Sequence, residues 1–163
     1  MRSKPGALAI VALSFFMTGL ARGQAPATAP AATPTSKFDP ALAAQVGADE
    51  HGMRHYVLVV LKTGPNRMPD GPQRDAMFQG HFANMKRLSD EGKLALAGPF
   101  DGVDGWRGLF IFAVEEIDEA KRLVATDPVV ANGEMVPEFH KYFGSAALML
   151  VPKAHATVQQ KPF

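Results

Sequence analysis

The chain has 163 residues, the size of one ordinary domain, and 47% of them are hydrophobic while 20% are charged. It contains no cysteine, 15 glycines and 13 prolines, a composition that excludes a disulfide scaffold, a collagen and a fully disordered chain. Seventeen basic and sixteen acidic residues give a net charge of +1, so the overall charge provides no attraction for nucleic acid.

Residues 1–23 have the pattern of a secretory signal peptide. Arg2 and Lys4 precede an uncharged apolar run from Gly6 to Ala21, and another small residue stands at Gly23. This run is shorter than the roughly 20 residues that a membrane-spanning helix needs, which favours a cleaved signal over an anchor. We therefore expect cleavage before Gln24, no stable membrane insertion afterwards, and a mature protein that is periplasmic or secreted.

Residues 24–53 are predicted to connect the signal peptide to the folded domain. Residues 24–36 have the sequence QAPATAPAATPTS, in which proline recurs and no large apolar side chain is available for burial, so a polyproline-like linker is expected. A short helix from Pro40 to Val46, ended by Gly47, is expected in the loose lead-in that follows. The domain itself is predicted to span residues 54–152, with a polar tail over residues 153–163.

The predicted domain alternates strands and helices. Strands are expected at His55–Leu61, Leu94–Ala97, Trp106–Val114, Met135–Phe143 and Ser145–Val151, and longer helices at Gln73–Glu91 and Glu115–Ala125. This order, β-α-β-β-α-β plus one extra C-terminal strand, predicts a ferredoxin-like α+β fold with two helices on one face of an antiparallel sheet. Because the first and third strands are apolar on nearly every residue, we expect a homodimer with its sheets face to face, a dimeric α+β barrel.

His81 and Arg74 are polar residues that the helix pattern places among apolar ones. At about 100° per residue, His81 lies on the same side as Phe78, Phe82 and Met85, and Arg74 lies two turns earlier on that side. Two interpretations are open. Either the two residues form a polar seam between helix and sheet, or His81 donates to a backbone carbonyl while Arg74 extends past the helix end into water.

Asp127 and Pro128 are typical of the N-cap and first residue of a short helix, here extending to Asn132. A capping role alone explains this pair. The position nevertheless follows the second long helix, and in the predicted topology that end can approach the helix that carries His81.

Two segments of the domain resemble the YCII-related (YciI-like) domain family. The first, HFANMKRLSDEGKLALAGP from His81 to Pro99, has a helix histidine, a glycine before a strand, and AGP at the end of that strand. The second, AKRLVATDPVVANG from Ala120 to Gly133, has a DP turn after the second helix. The resemblance covers roughly Arg54 to Phe143.

This resemblance implies a ferredoxin-like fold, dimeric α+β barrels related to muconolactone isomerase, and a paired role for His81 and Asp127. We expect the pair to lie about 2.6 to 3.2 Å apart, or one water apart, in a pocket between helices and sheet. The expected function is acid/base catalysis of lyase or isomerase type on a small molecule, with Arg74 holding an anionic group and Trp106 forming a wall. The alternative is a non-catalytic, exported ligand-binding or accessory dimer that uses the same pocket.

The sequence predicts neither a metal site nor a cofactor. The other histidines lack the spacing of a zinc site, and the closest two, His51 and His55, share no helix face because the second begins a strand. Motifs for nucleotide binding and for serine hydrolases are missing. Haem occurs in other dimeric α+β barrels, and for that alternative His140 on the last long strand is the candidate axial ligand.

Overall fold

The computed structural model describes residues 37–161, so the predicted signal peptide and the linker to residue 36 lie outside the described residues. Four strands form one sheet: β1 (Met53–Thr63), β2 (Leu94–Pro99), β3 (Trp106–Phe112) and β4 (Met135–Ser145). The helices of this part are α1 (Pro40–Val46), α2 (Pro72–Asp90), α3 (Ile117–Val124), α4 (Pro128–Ala131) and α5 (Val151–Val158). Two 3₁₀ segments, Val103–Gly105 and Ala146–Leu150, complete the regular structure there. Between residues 37 and 161, no helix is both long enough and apolar enough to cross a membrane.

The strands are arranged in the order β2-β3-β1-β4, and all neighbouring pairs are antiparallel. The central strand β1 pairs Val57 with Phe112 of β3 on one side and with Lys141 of β4 on the other. Helix α2 connects β1 to β2, while α3 and α4 connect β3 to β4. This is a ferredoxin-like arrangement, so the predicted α+β fold class is confirmed. Barrel closure by a second copy stays a prediction.

Helix α2 follows the sequence prediction to within one residue at each end. It begins at Pro72, where proline is favourable because an N–H at this position would make no hydrogen bond within the helix. It ends at Asp90, shortly before Gly92, whose φ is +69°. Its buried residues are Met77, His81, Asn84 and Leu88. The prediction that His81 faces inward is therefore confirmed.

The side of the sheet that faces the helices forms the main core. Alternate residues of β1 and β3 point toward this side and pack against apolar residues of the helices. The core includes Val57, Val59, Leu88, Phe110, Phe112 and Val124. Removal of this apolar surface from water is the main favourable contribution to folding, and it fixes the backbone of α2 and α4 against the sheet.

The predicted lead-in helix α1 has its predicted bounds. Asp39 accepts hydrogen bonds from the N–H groups of Ala41 and Leu42, and Gly47 ends the helix with a φ of +67°. At its C-terminal end, Arg54 Nη1 of β1 donates to the Val46 carbonyl oxygen at 2.9 Å. The lead-in therefore makes a specific contact with the central strand.

The extra C-terminal strand predicted over Ser145–Val151 is wrong. Residues Ala146–Leu150 form a 3₁₀ segment that continues into α5. The segment consists of alanine, leucine and methionine, which are good helix formers, and has no β-branched residue. Ser145 Oγ accepts from the Ala147 N–H at 3.3 Å, and Pro152 stands in the first turn of α5, so both ends favour helical geometry.

The helical C-terminal segment covers part of the second face of the sheet. Leu148 and Met149 of the 3₁₀ segment pack against a smaller cluster on that face, which contains Tyr56, Ala95 and Ile111. The chain itself thus covers part of the apolar surface for which the sequence argument required a second subunit. The homodimer stays a prediction. The argument for it now applies only to the part of this face that the C-terminal segment does not cover.

Candidate functional site

Helices α2 and α4 bring His81 and Asp127 together. His81 Nδ1 lies 2.8 Å from Asp127 Oδ2 and 2.9 Å from Asp127 Oδ1, inside the range expected from the sequence. The Asp127 carboxyl group is completely buried, and His81 is 8% exposed. Because the two residues are 46 positions apart in the chain, the contact depends on how the two helices pack.

Asp127 also caps α4, as its place before Pro128 predicts. Its Oδ1 accepts from the Val129 N–H at 3.1 Å, and both carboxyl oxygens remain within reach of His81 Nδ1. An ionised carboxylate has lone pairs enough for both partners. Capping and pairing were alternatives in the sequence, and in the folded chain one carboxylate performs both.

Gly80 permits the close approach of the two helices. A Cβ atom placed on Gly80 would lie 3.0 Å from Cγ of Pro128, which is tighter than an ordinary contact. The two helices therefore meet where α2 has no side chain. Since His81 follows Gly80 and Asp127 precedes Pro128, this contact sets the separation of the pair.

Three aromatic rings surround the imidazole. The ring centroids of Phe78, Phe82 and Phe110 lie 6.0, 5.4 and 6.0 Å from that of His81, and Phe110 is stacked on it at 30°. An apolar environment strengthens a hydrogen bond to an ionised group, because little water competes for it. The rings restrict the imidazole on its sides while Asp127 fixes it through Nδ1.

The contact to Asp127 assigns the proton on the His81 ring. An ionised carboxylate only accepts hydrogen bonds, so Nδ1 must donate, and Nε2 carries the lone pair of the neutral ring. Among residues 37–161, the buried side-chain nitrogens and oxygens without a partner are Arg54 Nε, Arg74 Nε and Asn84 Nδ2. His81 Nε2 is not one of them and makes no hydrogen bond within that range, and the residue is 8% exposed.

Comparison with known proteins places this site in a family. A family model described as the YCII-related domain matches residues 54–137, slightly more than half of the chain. The chain belongs to the YCII-related domain family. A second match is the Uncharacterized protein YjpA of Bacillus subtilis (strain 168), which is 33% identical over 54 residues. That alignment covers 33% of this chain and 61% of the Bacillus protein, so it spans less than two thirds of the relative.

Arg74 of this YCII-related domain lies on the same face of α2 as His81, as predicted. Its guanidinium carbon is 4.6 Å from the ring centroid of Phe78, which is also the ring next to His81. Arg74 Nη2 donates to Glu134 Oε1 at 3.0 Å, and Nη1 lies 3.4 Å from the exposed Asp70 carboxylate. The structure thus places one aromatic ring between Arg74 and His81, and it gives Arg74 a protein partner that the sequence did not predict.

That partner, Glu134, is completely buried at the start of β4. Glu134 Oε2 accepts from the Met68 N–H at 2.7 Å, and Arg107 Nη1 lies 4.0 Å from Oε1. Burial raises the pKa of Glu134, but the hydrogen bonds from Met68 and Arg74, with the charge of Arg107, outweigh it and hold the pKa below its ordinary value. Glu134 is therefore an ionised carboxylate inside the domain.

Sequence reasoning missed both Glu134 and Arg107. Arg107 had a usable signal, since it is a charged residue inside an otherwise apolar strand. Glu134 had none, because its burial results from a loop crossing in which the Gly64 N–H donates to the Glu134 carbonyl and the Asn66 N–H donates to the Gly133 carbonyl. Those contacts join parts of the chain that are far apart in sequence.

Trp106 stands at the start of β3, away from the ring contacts of the pair. Its indole packs on Phe100 with the ring centroids 5.4 Å apart, and the side chain is partly exposed. Within residues 37–161, no ring contact or hydrogen bond joins Trp106 to His81. Its predicted role as a pocket wall stays a prediction.

The other histidines lie apart from this site. His140 of β4 pairs with Glu138 at 2.9 Å, and the His55 ring contacts Phe143 with centroids 4.8 Å apart. In the described part of the chain, no three His, Asp or Glu residues are grouped closely enough to hold a metal ion. A shallow depression of about 310 Å³ beside Arg54, Glu115 and Phe143 is lined by residues other than the His81 and Asp127 pair.

Proposed function

We propose that this YCII-related protein is an acid/base enzyme for a small molecule, of lyase or isomerase type, in which His81 moves the proton and Asp127 positions it. The observation that supports the proposal is the 2.8 Å contact between His81 Nδ1 and a completely buried carboxylate. A buried aspartate beside an imidazole favours one ring orientation and one tautomer, which is the arrangement a general base requires.

In this mechanism Nε2 of His81 takes a proton from a carbon or oxygen atom of the substrate. The imidazolium that forms is stabilised by the Asp127 carboxylate, which keeps its hydrogen bond to Nδ1 throughout. Nε2 then returns the proton to another atom of the same molecule in an isomerisation, or to the departing group in an elimination. The proton count is unchanged in both cases, so no further reactant is needed.

The surroundings of His81 support a small substrate with an unsaturated body. Only 8% of the residue is exposed, so access to the ring is limited to a small area. Phe78 flanks the imidazole, and its ring is a surface beside which a planar molecule can stack. Arg74, beyond Phe78, is in place to attract an anionic substituent of such a molecule.

Solvent deuterium incorporation tests this function across a panel of compounds, whichever of them is the substrate. The protein is incubated in D₂O with small organic acids, keto compounds and hydroxylated aromatics, and loss of C–H signals is followed by ¹H NMR. We expect exchange or turnover of at least one compound, with at least a hundredfold loss in His81→Asn, in line with the usual contribution of a general base of about 10² or more. His155→Asn, at an exposed position of α5, is the matched control.

The outcomes separate the two candidate functions. Exchange that His81→Asn leaves unchanged excludes His81 as the base. Saturable binding of a compound in the panel, without exchange or turnover of any, favours the alternative of a non-catalytic ligand-binding or accessory protein.

We also propose that the chain is exported and acts outside the cytoplasm. The support is the sequence of residues 1–23, with two basic residues before a short apolar run and small residues at the predicted cleavage site. Intact-mass measurement of protein expressed with these residues tests the proposal. The expected mature chain begins at Gln24, and a product that retains Met1 to Gly23 contradicts it.

A further inference from the structure

Two arginines and one glutamate form a second polar group near the N-terminal end of α2. This arginine cluster consists of Arg74 of α2, Arg107 of β3 and Glu134 at the start of β4. Glu134 Oε1 lies 3.0 Å from Arg74 Nη2 and 4.0 Å from Arg107 Nη1. Helix α2 and strand β3 therefore each bring an arginine to one buried carboxylate.

The arginine cluster has a net positive charge. Its two guanidinium groups are always protonated, and Glu134 supplies one negative charge. The other nearby carboxylate, Asp70, is exposed to water, so its attraction for Arg74 Nη1 at 3.4 Å is screened. Among residues 37–161, one positive charge of the cluster is therefore left without a buried counter-charge.

The two arginines also have hydrogen-bond donors without acceptors. The Arg107 side chain is 24% exposed, and no hydrogen bond from its guanidinium is present within residues 37–161, because 4.0 Å to Glu134 is beyond hydrogen-bond range. Arg74 Nη1 has only its ion pair with Asp70, and Arg74 Nε is buried without a partner. Among the cluster atoms within residues 37–161, Arg74 Nε is the donor that is buried without a partner, which is costly, whereas the Arg107 donors are not buried in this way and can meet a ligand.

An acceptor with two oxygens and one negative charge fits this arrangement. Arg107 Nη1 and Arg74 Nη2 approach the same oxygen of Glu134, so a second carboxylate placed beside the two guanidinium groups meets donors from both arginines. The Phe78 ring lies under the Arg74 guanidinium, and its centroid is 6.0 Å from that of His81, so one aromatic ring separates the cluster from the imidazole.

We propose that the arginine cluster binds the carboxylate of a small organic acid, with Arg107 as its principal donor and Glu134 as a positioning residue. The ligand's apolar or aromatic body lies along Phe78, and its far end reaches His81 Nε2. The identification of this ligand as the substrate rests on the proposed function, whereas the binding of a carboxylate does not. Glu134 holds Arg74 by a hydrogen bond and Arg107 by charge alone, which leaves the Arg107 donors available.

Arginine side-chain NMR tests the binding step directly. The full chain is labelled with ¹⁵N, and the Nε–Hε signals are followed during titration with sodium benzoate at constant ionic strength. Benzamide, which has the same shape without the charge, is the matched control ligand. We expect saturable shifts of the Arg107 and Arg74 signals with benzoate and none with benzamide.

Variants then test the roles of individual residues. Arg107→Met should weaken benzoate binding about tenfold or more, because it removes charged hydrogen bonds at an only partly exposed site. Arg107→Lys keeps the charge but cannot form bidentate hydrogen bonds, so it should bind benzoate with intermediate affinity. It replaces the methionine variant if that variant fails to fold. Arg122→Met on the exposed face of α3 is the control and should bind as the unmodified protein does.

Glu134→Gln tests the positioning role. It should weaken benzoate binding and alter the Arg74 Nε–Hε signal even without benzoate, because Nη2 loses its ionised partner. An Arg107→Met protein that binds benzoate as tightly as the unmodified chain overturns the proposal. Equal shifts with benzoate and benzamide, or none with either, overturn it too.

His81→Asn separates this inference from the proposed function. That variant should lose deuterium exchange and keep benzoate binding. If benzoate binds through Arg107 while exchange does not depend on His81, the anion site stands without the proposed catalysis. If exchange depends on His81 while benzoate binding does not depend on Arg107, this inference alone fails.

Discussion

Two histidine–carboxylate pairs in this protein have nearly the same geometry and very different surroundings. His81 Nδ1 lies 2.8 Å from Asp127, and His140 Nε2 lies 2.9 Å from Glu138. The first pair is buried between α2 and α4, whereas the side chains of the second are 51% and 44% exposed on β4. Glu138 is shared with Lys62 of β1, so water and a third charge both compete for it.

The difference shows that distance alone does not identify a functional histidine. In water a hydrogen bond to a carboxylate exchanges for one to solvent at little net cost, so the exposed pair leaves its ring free to reorient. In the buried pair no solvent substitutes for Asp127, and Phe110 holds the ring from the side. Burial turns the same contact into a fixed tautomer with a defined reactive atom.

The largest expected difference between the pairs is in stability. Asp127→Ala removes the cap of α4 and leaves a buried imidazole without its partner, which should lower the free energy of unfolding by about 3 kcal/mol. Glu138→Ala should have little effect, because its partners regain water. Urea denaturation of both variants at pH 7 measures the comparison, and similar losses for the two would show that burial does not distinguish the pairs.

The second-largest effect is the pH dependence of stability, which should differ between two carboxylates with lowered pKa values, Glu134 and Glu138. In Glu134 burial raises the pKa and the hydrogen bonds from Met68 and Arg74 lower it more, while in exposed Glu138 the hydrogen bonds from Lys62 and His140 lower it. A depressed folded-state pKa means that the stabilisation is complete above the ordinary value of 4.5 and is lost as the pH falls below it.

Glu134→Gln should therefore lower the free energy of unfolding by about 2 kcal/mol at pH 7, with the deficit shrinking as the pH falls below 4.5. Glu138→Gln should cost little at any pH, and less still in 1 M salt. Urea denaturation between pH 7 and pH 3 gives both profiles. A Glu134→Gln deficit that stays constant down to pH 3 contradicts the assignment of Glu134 as a buried anion.

A smaller change tests how the buried pair is held. Gly80→Ala gains roughly 1 kcal/mol of helix propensity but places a Cβ 3.0 Å from Pro128 Cγ, so α4 must move away. We expect nearly unchanged stability together with altered ¹⁵N shifts of the His81 ring, since Asp127 moves with Pro128. Gln79→Ala, on the exposed side of the same turn, is the control. Unaltered His81 shifts would show that Gly80 does not set the separation.

Much of the buried pair could be predicted from local sequence, since helical periodicity alone placed His81 on the inner face of α2 and residue types alone predicted the cap at Asp127. The contact between the two residues was predicted from the family resemblance and the topology. The ion pair of Arg74 with Glu134 could not be predicted, because it depends on where the loop after β1 crosses the start of β4. Periodicity reports which side of an element is buried and carries no information about such crossings.

The C-terminal error has a different physical origin. Residues 145–151 are apolar enough for a short strand, and a short apolar run does not distinguish a strand from a helix by periodicity. The serine cap and Pro152 were the deciding local signals. The consequence is functional, because the same segment covers part of the second sheet face with Leu148 and Met149.

The smallest expected effect concerns salt and the exposed pair. Raising NaCl from about 0.1 M to 1 M shortens the screening length from about 10 Å to 3 Å, so in a monomer the ring ¹⁵N shifts of His140 should move while those of His81 stay constant. His140 and Glu138 stand opposite Leu58 and Val60 of β1, hence on the second face of the sheet, where the predicted homodimer would cover them. Light scattering at the same protein concentration therefore completes the measurement: a monomer mass with salt-sensitive His140 contradicts a dimer through this face, and a dimer mass with salt-insensitive His140 supports it.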